Sequence, residues 1–298
     1  MGAPVPPPVE LRKVTVGDAR LNVAIAGTGP AVVLLHGFPH TWQLWSAVLG
    51  PLAARYRVLA PDLRGLGASS PGEAGFDAGT IATDLGGLLD ALSEPDAAVV
   101  AIDLAVPGAL LFALRQPERI RRLVLMESLA GPLPGAEDFL AGGPPWWFGF
   151  HAVPGLAETV LFGHEAEYVG WFLDQGTLGR GIAPRLSTAF AEAYTGVEAL
   201  RCAFGYYRAL AESGRQLTEA VARTRLTVPV MTVGAHPVGE ALERQLRPFA
   251  DDLTGHLLAE CGHLIPLERP RELAGLLLPF LASGHEKGEL PLPIVSNV

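Results

Sequence analysis

The sequence predicts an α/β fold: a mostly parallel central sheet with helices on both faces, interrupted by one helical insertion. Three observations carry this. Short, continuous apolar runs alternate with helical stretches from Ala31 to Met126 and again from Val228 to Leu281, the pattern of parallel strands buried on both faces. Between about 130 and 225 strand signals disappear while helical stretches continue. Three polar residues, Asp103, Glu127 and His263, fall at or just beyond the carboxyl ends of strands, the edge at which open α/β sheets bind ligands.

Taken in order, residues 1–9 read as a tail rich in proline. Leu11–Val16 and Arg20–Ala26 alternate apolar and polar residues around Gly17-Asp18, a hairpin signal. Ala31–Leu35 is a buried strand that runs into His36-Gly37-Phe38-Pro39-His40, after which Thr41 caps a helix reaching Leu49. Tyr56–Ala60 is the next strand, followed by Pro61-Asp62-Leu63-Arg64-Gly65-Leu66-Gly67 and a helix over about Ala78–Ser93. Ala97–Ile102 and Arg122–Met126 are strands that end at Asp103 and Glu127. The inserted segment includes an aromatic, glycine- and proline-rich stretch, Gly142–His151, and a helix around Val197–Ser213. The alternation resumes with a strand at Val228–Val233, a helix at Gly239–Ala250, a strand at Leu253–Ala259 and a closing helix at Arg271–Leu281. These boundaries divide the chain into core residues 10–129, an insertion at 130–225, core residues 226–284, and tails at 1–9 and 285–298.

The stretch around Asp103 organises the rest. A single carboxylate stands between an apolar strand and an apolar helix, and an unpaired carboxylate in a core is costly. An acid at a sharp strand-to-helix turn has the layout of a nucleophile elbow, its side chain held beside the N–H groups that open the helix. Pro107 falls in the first helical turn, where its missing N–H does no harm. A plain helix cap has the same local sequence, so the choice between the two rests on the other strand ends. His263, in Glu260-Cys261-Gly262-His263-Leu264, follows the last strand. An isolated histidine is ordinarily structural, but one at this edge, after an acid in chain order, fits a catalytic set.

Composition narrows the class. The chain has 298 residues, 49% of them hydrophobic, and a formal net charge of −9, enough for one large domain and its core. Its only lysines are Lys13 and Lys287, so nothing basic invites nucleic acid or an anionic membrane. Cys202 and Cys261 lack metal-site spacing and read as buried free thiols of a reducing cytoplasm. The first ten residues do not read as a signal peptide. The longest apolar stretch contains Asp103 and Pro107, which excludes a membrane span there.

The set His36-Gly37-Phe38-Pro39, Pro61-Asp62-Leu63-Arg64-Gly65-Leu66-Gly67, Asp103 at the elbow and Gly262-His263 resembles the α/β-hydrolase fold. Within it the chain is similar to the branch of epoxide hydrolases and dehalogenases that use Asp as nucleophile, over nearly all of Leu11–Ala282. Arg122–Glu127 matches epoxide hydrolases whose triad acid follows the strand after the elbow, which makes Glu127 the acid. The alternative place for the acid, Gly234-Ala235-His236-Pro237, holds no carboxylate. The resemblance implies that Asp103 attacks an epoxide carbon to give an alkyl-enzyme ester. His263, oriented by Glu127, then activates water against that ester. The backbone N–H groups of Phe38 and Leu104 serve the oxyanion, with His36 beside them. It implies that the insertion is a cap carrying ring-opening donors: Tyr207, in Phe204-Gly205-Tyr206-Tyr207-Arg208, and Trp147 with Trp146, where relatives often have His. An indole N–H donates a hydrogen bond but delivers no proton; hydrophobic packing is the plain alternative for both tryptophans. The chain also departs from the family at Ala101 and Ala105, where glycines are usual, and at Ile102, where His often stands.

Dehalogenation is the near rival. Fluoroacid dehalogenases place arginines just after the nucleophile, and Leu104–Leu114 contains none; haloalkane dehalogenases commonly put Trp after the Asp, here Leu104. A non-catalytic binding protein on the same fold is the rival from another class, and retention of Asp103, Glu127 and His263 argues against it. No cofactor or metal is implied. The partners expected are a small epoxide and water, and a homodimer is left open. The aromatic cap suits a flat apolar ligand and resembles epoxide hydrolases that tailor aromatic polyketides of the angucyclinone and benzofluorene type, which would place the chain in antibiotic biosynthesis.

Overall fold

A computed structural model describes residues 8–73 and 75–283; the expected tail residues 1–7 and 285–298 lie outside the described residues. The sheet has eight strands: β1 (Glu10–Val16), β2 (Ala19–Ala26), β3 (Ala31–Leu35), β4 (Arg57–Pro61), β5 (Ala97–Ile102), β6 (Ile120–Met126), β7 (Val230–Gly234) and β8 (Leu253–Leu257). Their order is β1-β2-β4-β3-β5-β6-β7-β8. β1 and β2 form the antiparallel hairpin at one edge, β2 pairs antiparallel with β4, and all remaining pairs are parallel.

β3 and β5, at the centre, are buried along their whole length, which is why they read as unbroken apolar runs. β8 is different. It closes the far edge, is only partly buried and stops at Leu257, two residues short of the expected end, because a strand with one neighbour needs no second apolar face.

Helices α1 (Ser46–Ala53), α2 (Ala78–Ala91) and α3 (Val106–Arg115) connect the first strands. The Asp77 side chain caps α2 by accepting from the N–H groups of Gly79 and Thr80. α2 and α3 cross closely because Gly108 has no side chain: a Cβ there would lie 2.5 Å from a methyl of Ile81.

Between β6 and β7 stand α4 (Trp146–Ala152), α5 (Leu156–Leu161), α6 (Glu165–Gln175), α7 (Pro184–Ala193), α8 (Val197–Arg208) and α9 (Leu210–Val221). The single helix expected at Val197–Ser213 is thus two, parted at Ala209. α8 buries Phe204, Tyr206 and Tyr207 and packs on α4 and α5, whereas α9 packs its Ser213, Gly214 and Leu217 side on α2 and α3. One straight helix could not serve both neighbours. After the insertion come α10 (Ala241–Leu246), shorter than expected, then α11 (Ile265–Glu268) and α12 (Pro270–Ala282). Cys202 and Cys261 are both free and buried. Among the described residues no helix is long and apolar enough to cross a membrane, and no group of three or more His, Cys, Asp or Glu could hold a metal ion.

Candidate active site

In β5 and β6, Ile102 and Met126 are register partners, so the next residues, Asp103 and Glu127, leave the same sheet edge side by side. Both backbones take positive φ there, 57° and 43°, a strained choice for residues other than glycine and one that clusters at functional sites. Asp103 opens a short 3₁₀ turn that leads into α3. Ala101 and Ala105, where glycines are usual, are completely buried on either side of the turn, so the elbow forms with both methyl groups inside it.

The loop after β3 lies against this turn. The Phe38 N–H donates to Asp103 Oδ1 at 2.8 Å. This approach requires Gly37, since a Cβ on it would stand 2.1 Å from the same oxygen. The Leu104 N–H also donates to the carboxylate. Phe38 and Leu104 therefore place two backbone donors on Asp103, the arrangement an oxyanion would need.

His263 comes from the segment between β8 and α11. Its Nε2 is 3.3 Å from Asp103 Oδ2, and its Nδ1 is 3.2 Å from Glu127 Oε2. The second oxygen of Glu127 accepts the Ala235 N–H at 2.6 Å, just past β7. The Glu127 side chain is fully enclosed, while His263 and Asp103 keep 17% and 21% exposure, so these two are the members of the row open to a ligand. Burial alone would lower the His263 pKa, but the hydrogen bonds and charges of Asp103 and Glu127 outweigh it and lift it to about 10. Burial would raise the Asp103 pKa, yet His263 and the two N–H groups hold it below the ordinary carboxylate value. The resting site therefore pairs a carboxylate with an imidazolium.

His36 has a different part from the one its motif suggests. It is wholly buried. Its Nδ1 donates to the Gly37 carbonyl at 2.8 Å, and its Nε2 accepts the Leu63 N–H at 3.1 Å. Burial lowers its pKa, and the N–H aimed at Nε2 requires a lone pair there, so the nearby Asp62 faces a neutral ring. Both nitrogens are engaged in tying the β3 loop to the β4 loop, which leaves neither for a ligand. In the same β4 loop Asp62 accepts from the Trp42 and Ala68 N–H groups, and the Arg64 carbonyl accepts the Tyr206 hydroxyl at 2.9 Å.

From the insertion, Tyr207 reaches the site. It is buried and lies edge-on to Phe38, ring centroids 6.1 Å apart. Burial, and next the Asp103 charge, push its pKa well above that of a free phenol, so it is a neutral O–H donor. Trp147 is one ring further out, meeting Phe172 at 5.5 Å, which in turn meets Phe38 at 5.3 Å. Trp146 does not come to the site: it is 55% exposed and packs on Trp147, Phe150 and Trp171. Consecutive helical residues point about 100° apart, so α4 turns one tryptophan inward and the other out. His151, not singled out in the sequence, is buried behind Tyr207, ring centroids 4.4 Å apart, and its Nε2 is 2.6 Å from the Tyr168 hydroxyl. Only its helical spacing from Trp147, four residues on, could have pointed to it.

Residues 30–158 match a family model described as the alpha/beta hydrolase fold. The soluble epoxide hydrolase of Corynebacterium sp. (strain C12) is 31% identical over 284 residues, 88% of this chain and 94% of that protein. The chain belongs to the α/β-hydrolase fold family. Among solved structures, this α/β hydrolase is similar to wild-type Cfl2 from Burkholderia cenocepacia, with a TM-score of 0.81 and 32% identity over 91% of this chain and 95% of that one. It is also similar to the Cif epoxide hydrolase from Acinetobacter nosocomialis, with a TM-score of 0.83 and 26% identity over 92% and 89% of the two chains. The curated and structural relatives of this α/β hydrolase thus include epoxide hydrolases.

Proposed function

We propose that this α/β hydrolase is an epoxide hydrolase that works through an ester on Asp103. The observation that carries the reading is the row Asp103–His263–Glu127, with its contacts of 3.3 and 3.2 Å, together with the two N–H groups on the Asp103 carboxylate.

Asp103 Oδ2 attacks an epoxide carbon, and the C–O bond that breaks leaves an alkoxide facing the cap, residues 130–225. Tyr207 donates to that oxygen, with Trp147 as the expected second donor. Forming the ester removes the Asp103 charge, so His263 loses one of the two anions that hold its proton. The proton it gives up balances the alkoxide, and the sum is ester, alcohol and neutral imidazole. Neutral His263 then takes a proton from water as the hydroxide adds to the ester carbonyl. The oxyanion forms on Oδ1, which already accepts the Phe38 N–H, with the Leu104 N–H also on the carboxylate. Collapse expels the second diol oxygen, which takes the carboxyl proton, and Asp103 and His263 return to their ion pair.

The aromatic residues around Phe38 support a reading of the substrate class. Trp147, Phe172, Phe38, Phe148 and Tyr207 form a run of edge-to-face rings ending at Asp103, which favours a flat aromatic epoxide of the polyketide kind.

The test is His263→Gln incubated with styrene oxide and followed by intact-protein mass spectrometry. An adduct should form on Asp103 and persist. In wild type, a single turnover in labelled water should put the label into the protein and leave the first diol unlabelled. Label in the diol at the first turnover means direct attack by water and overturns the reading, and halide release from a haloalkane without any epoxide turnover would assign a dehalogenase instead.

A further inference from the structure

The His263 ring is held by Asp103 and Glu127, but the backbone that carries it, Glu260–Leu264, stands between β8 and α11, outside any strand or helix. From the core, the His236 N–H donates to the Cys261 carbonyl at 3.0 Å, and Arg269 Nη2 donates to the Glu260 carbonyl at 3.1 Å. Further supports come from the insertion, in the turn just past α6. The Gly176 carbonyl accepts the Leu264 N–H at 3.3 Å. Arg180 Nη2 donates to the Glu260 carbonyl at 3.1 Å, and its Nε donates to Glu268 Oε2 at 3.1 Å, with Nη2 on the same oxygen. The turn therefore holds the segment on both sides of His263, at Glu260 and at Leu264.

The two backbones pass in contact. A Cβ on Gly176 would lie 2.4 Å from a methyl of Leu264 and 3.7 Å from the Cβ of His263, and one on Gly262 would lie 2.3 Å from the Gly176 carbonyl oxygen. Glu268 belongs to the same contact, because its Oε1 would be 2.7 Å from a Cβ on Gly262. The Glu268 side chain is only 7% exposed, and among the described residues Arg180 is the cation paired with it. A buried carboxylate stripped of its partner is costly. It turns toward water, and Gly262 then loses what it rests on.

We infer that Arg180 is a positioning residue: with Gly176 it fixes Glu260–Leu264, and so keeps the His263 ring at its distance from Asp103 and Glu127. An ion pair whose Arg is 47% exposed adds little to stability, so the contribution of Arg180 is placement. The inference stands on the row itself; only the kinetic arm of its test rests on the ester reading given above.

The sign of the effect separates placement from charge. Deleting a nearby cation raises the proton affinity of an imidazole, whereas drift of the ring away from two carboxylates lowers it. Coulomb attraction falls as 1/r, so a drift of about 1 Å from contacts of 3.3 and 3.2 Å forfeits about a quarter of it. The His263 midpoint, about 10 in wild type, should then fall by roughly one pH unit.

The experiment is an NMR titration of His263 in wild type, Arg180→Ala and Arg180→Lys. Decay of the adduct with styrene oxide is followed beside it by rapid quench and intact-protein mass. In Arg180→Ala the midpoint should fall by roughly one unit and decay should slow at least about tenfold, since a misplacement of about 1 Å can cost up to about 10²-fold. Arg180→Lys, which keeps a cation for Glu268, should recover part of both. An unchanged or raised midpoint in Arg180→Ala overturns the assignment, even beside a lower melting temperature, which is all that a merely structural clamp would give. So does a Lys variant no better than Ala. Absence of any adduct in His263→Gln would remove the ester and leave the midpoint to decide about Arg180. Adduct in His263→Gln beside an unchanged midpoint in Arg180→Ala would remove Arg180 alone.

Discussion

Replacing Asp103 by Asn reproduces the charge of the proposed ester without any substrate, and its effect on His263 can be worked from the geometry. Two carboxylates, at 3.3 and 3.2 Å, lift the His263 pKa from 6.5 to about 10 against the opposing effect of burial. If they share the rise equally, deleting the Asp103 charge lowers the midpoint by at least about 2 pH units, or roughly 2–3 kcal/mol or more, because the two carboxylates also overcome the effect of burial. A bare Coulomb sum at this separation gives roughly 5 kcal/mol at an effective dielectric of about 20. The smaller figure is preferred because both side chains retain some exposure and are screened. The assay is an NMR titration of His263 in wild type and Asp103→Asn, with intact mass used to show that the amide persists. Stability supplies a second readout. A pKa raised on folding stabilises fully below the unfolded value of about 6.5 and is lost as pH climbs through the folded value. Wild type should therefore lose this contribution between about pH 6.5 and 10, and Asp103→Asn should carry less of it and lose it at lower pH. A wild-type midpoint near 6.5, or a midpoint near 10 in both proteins, refutes the argument that alkylation releases the His263 proton.

Three further outcomes are expected. Tyr207→Phe should slow alkylation of Asp103 by about 10²–10³ with little change in substrate affinity, as measured by single-turnover kinetics, because its hydroxyl acts on charge that appears only in the transition state. Trp147→Phe, in the same assay, separates a donor, with a large loss, from packing, with none. Glu127→Gln should leave alkylation measurable and slow adduct decay by about 10²-fold, less than His263→Gln, since the amide still accepts from the Ala235 N–H but no longer stabilises an imidazolium.

The sheet was legible because its central strands are buried on both faces and announce themselves as unbroken apolar runs. Asp103 and Glu127 were legible because each stands alone, polar, at the end of such a run, whereas His263 was legible only from its place after the last strand. Where side chains face two neighbours the reading failed. The break at Ala209 depends on α8 and α9 packing against different partners, a tertiary demand that leaves no mark on helical spacing. The motif around His36 was visible, but its task was not, since that depends on a Leu63 N–H 27 residues away. Trp147 was read as the donor position with Trp146 as a second one beside it, and the turn of α4 parts them.

The bond between Glu127 and the Ala235 N–H spans 108 residues, and the whole helical insertion hangs between its ends. Asp103 and Glu127 are already neighbours through the pairing of β5 with β6, and of the three side chains in the row only the His263 imidazole arrives from beyond the insertion. The core thus closes its catalytic row with contacts that no residue of α4 to α9 supplies. The row Asp103–His263–Glu127 is written on the core alone, whereas Tyr207, the proposed ring-opening donor, is written on the insertion. Rebuilding of the inserted stretch outside its Gly176–Arg180 turn can therefore leave that row intact while it moves the Tyr207 hydroxyl, so ester hydrolysis and ring opening are open to separate change.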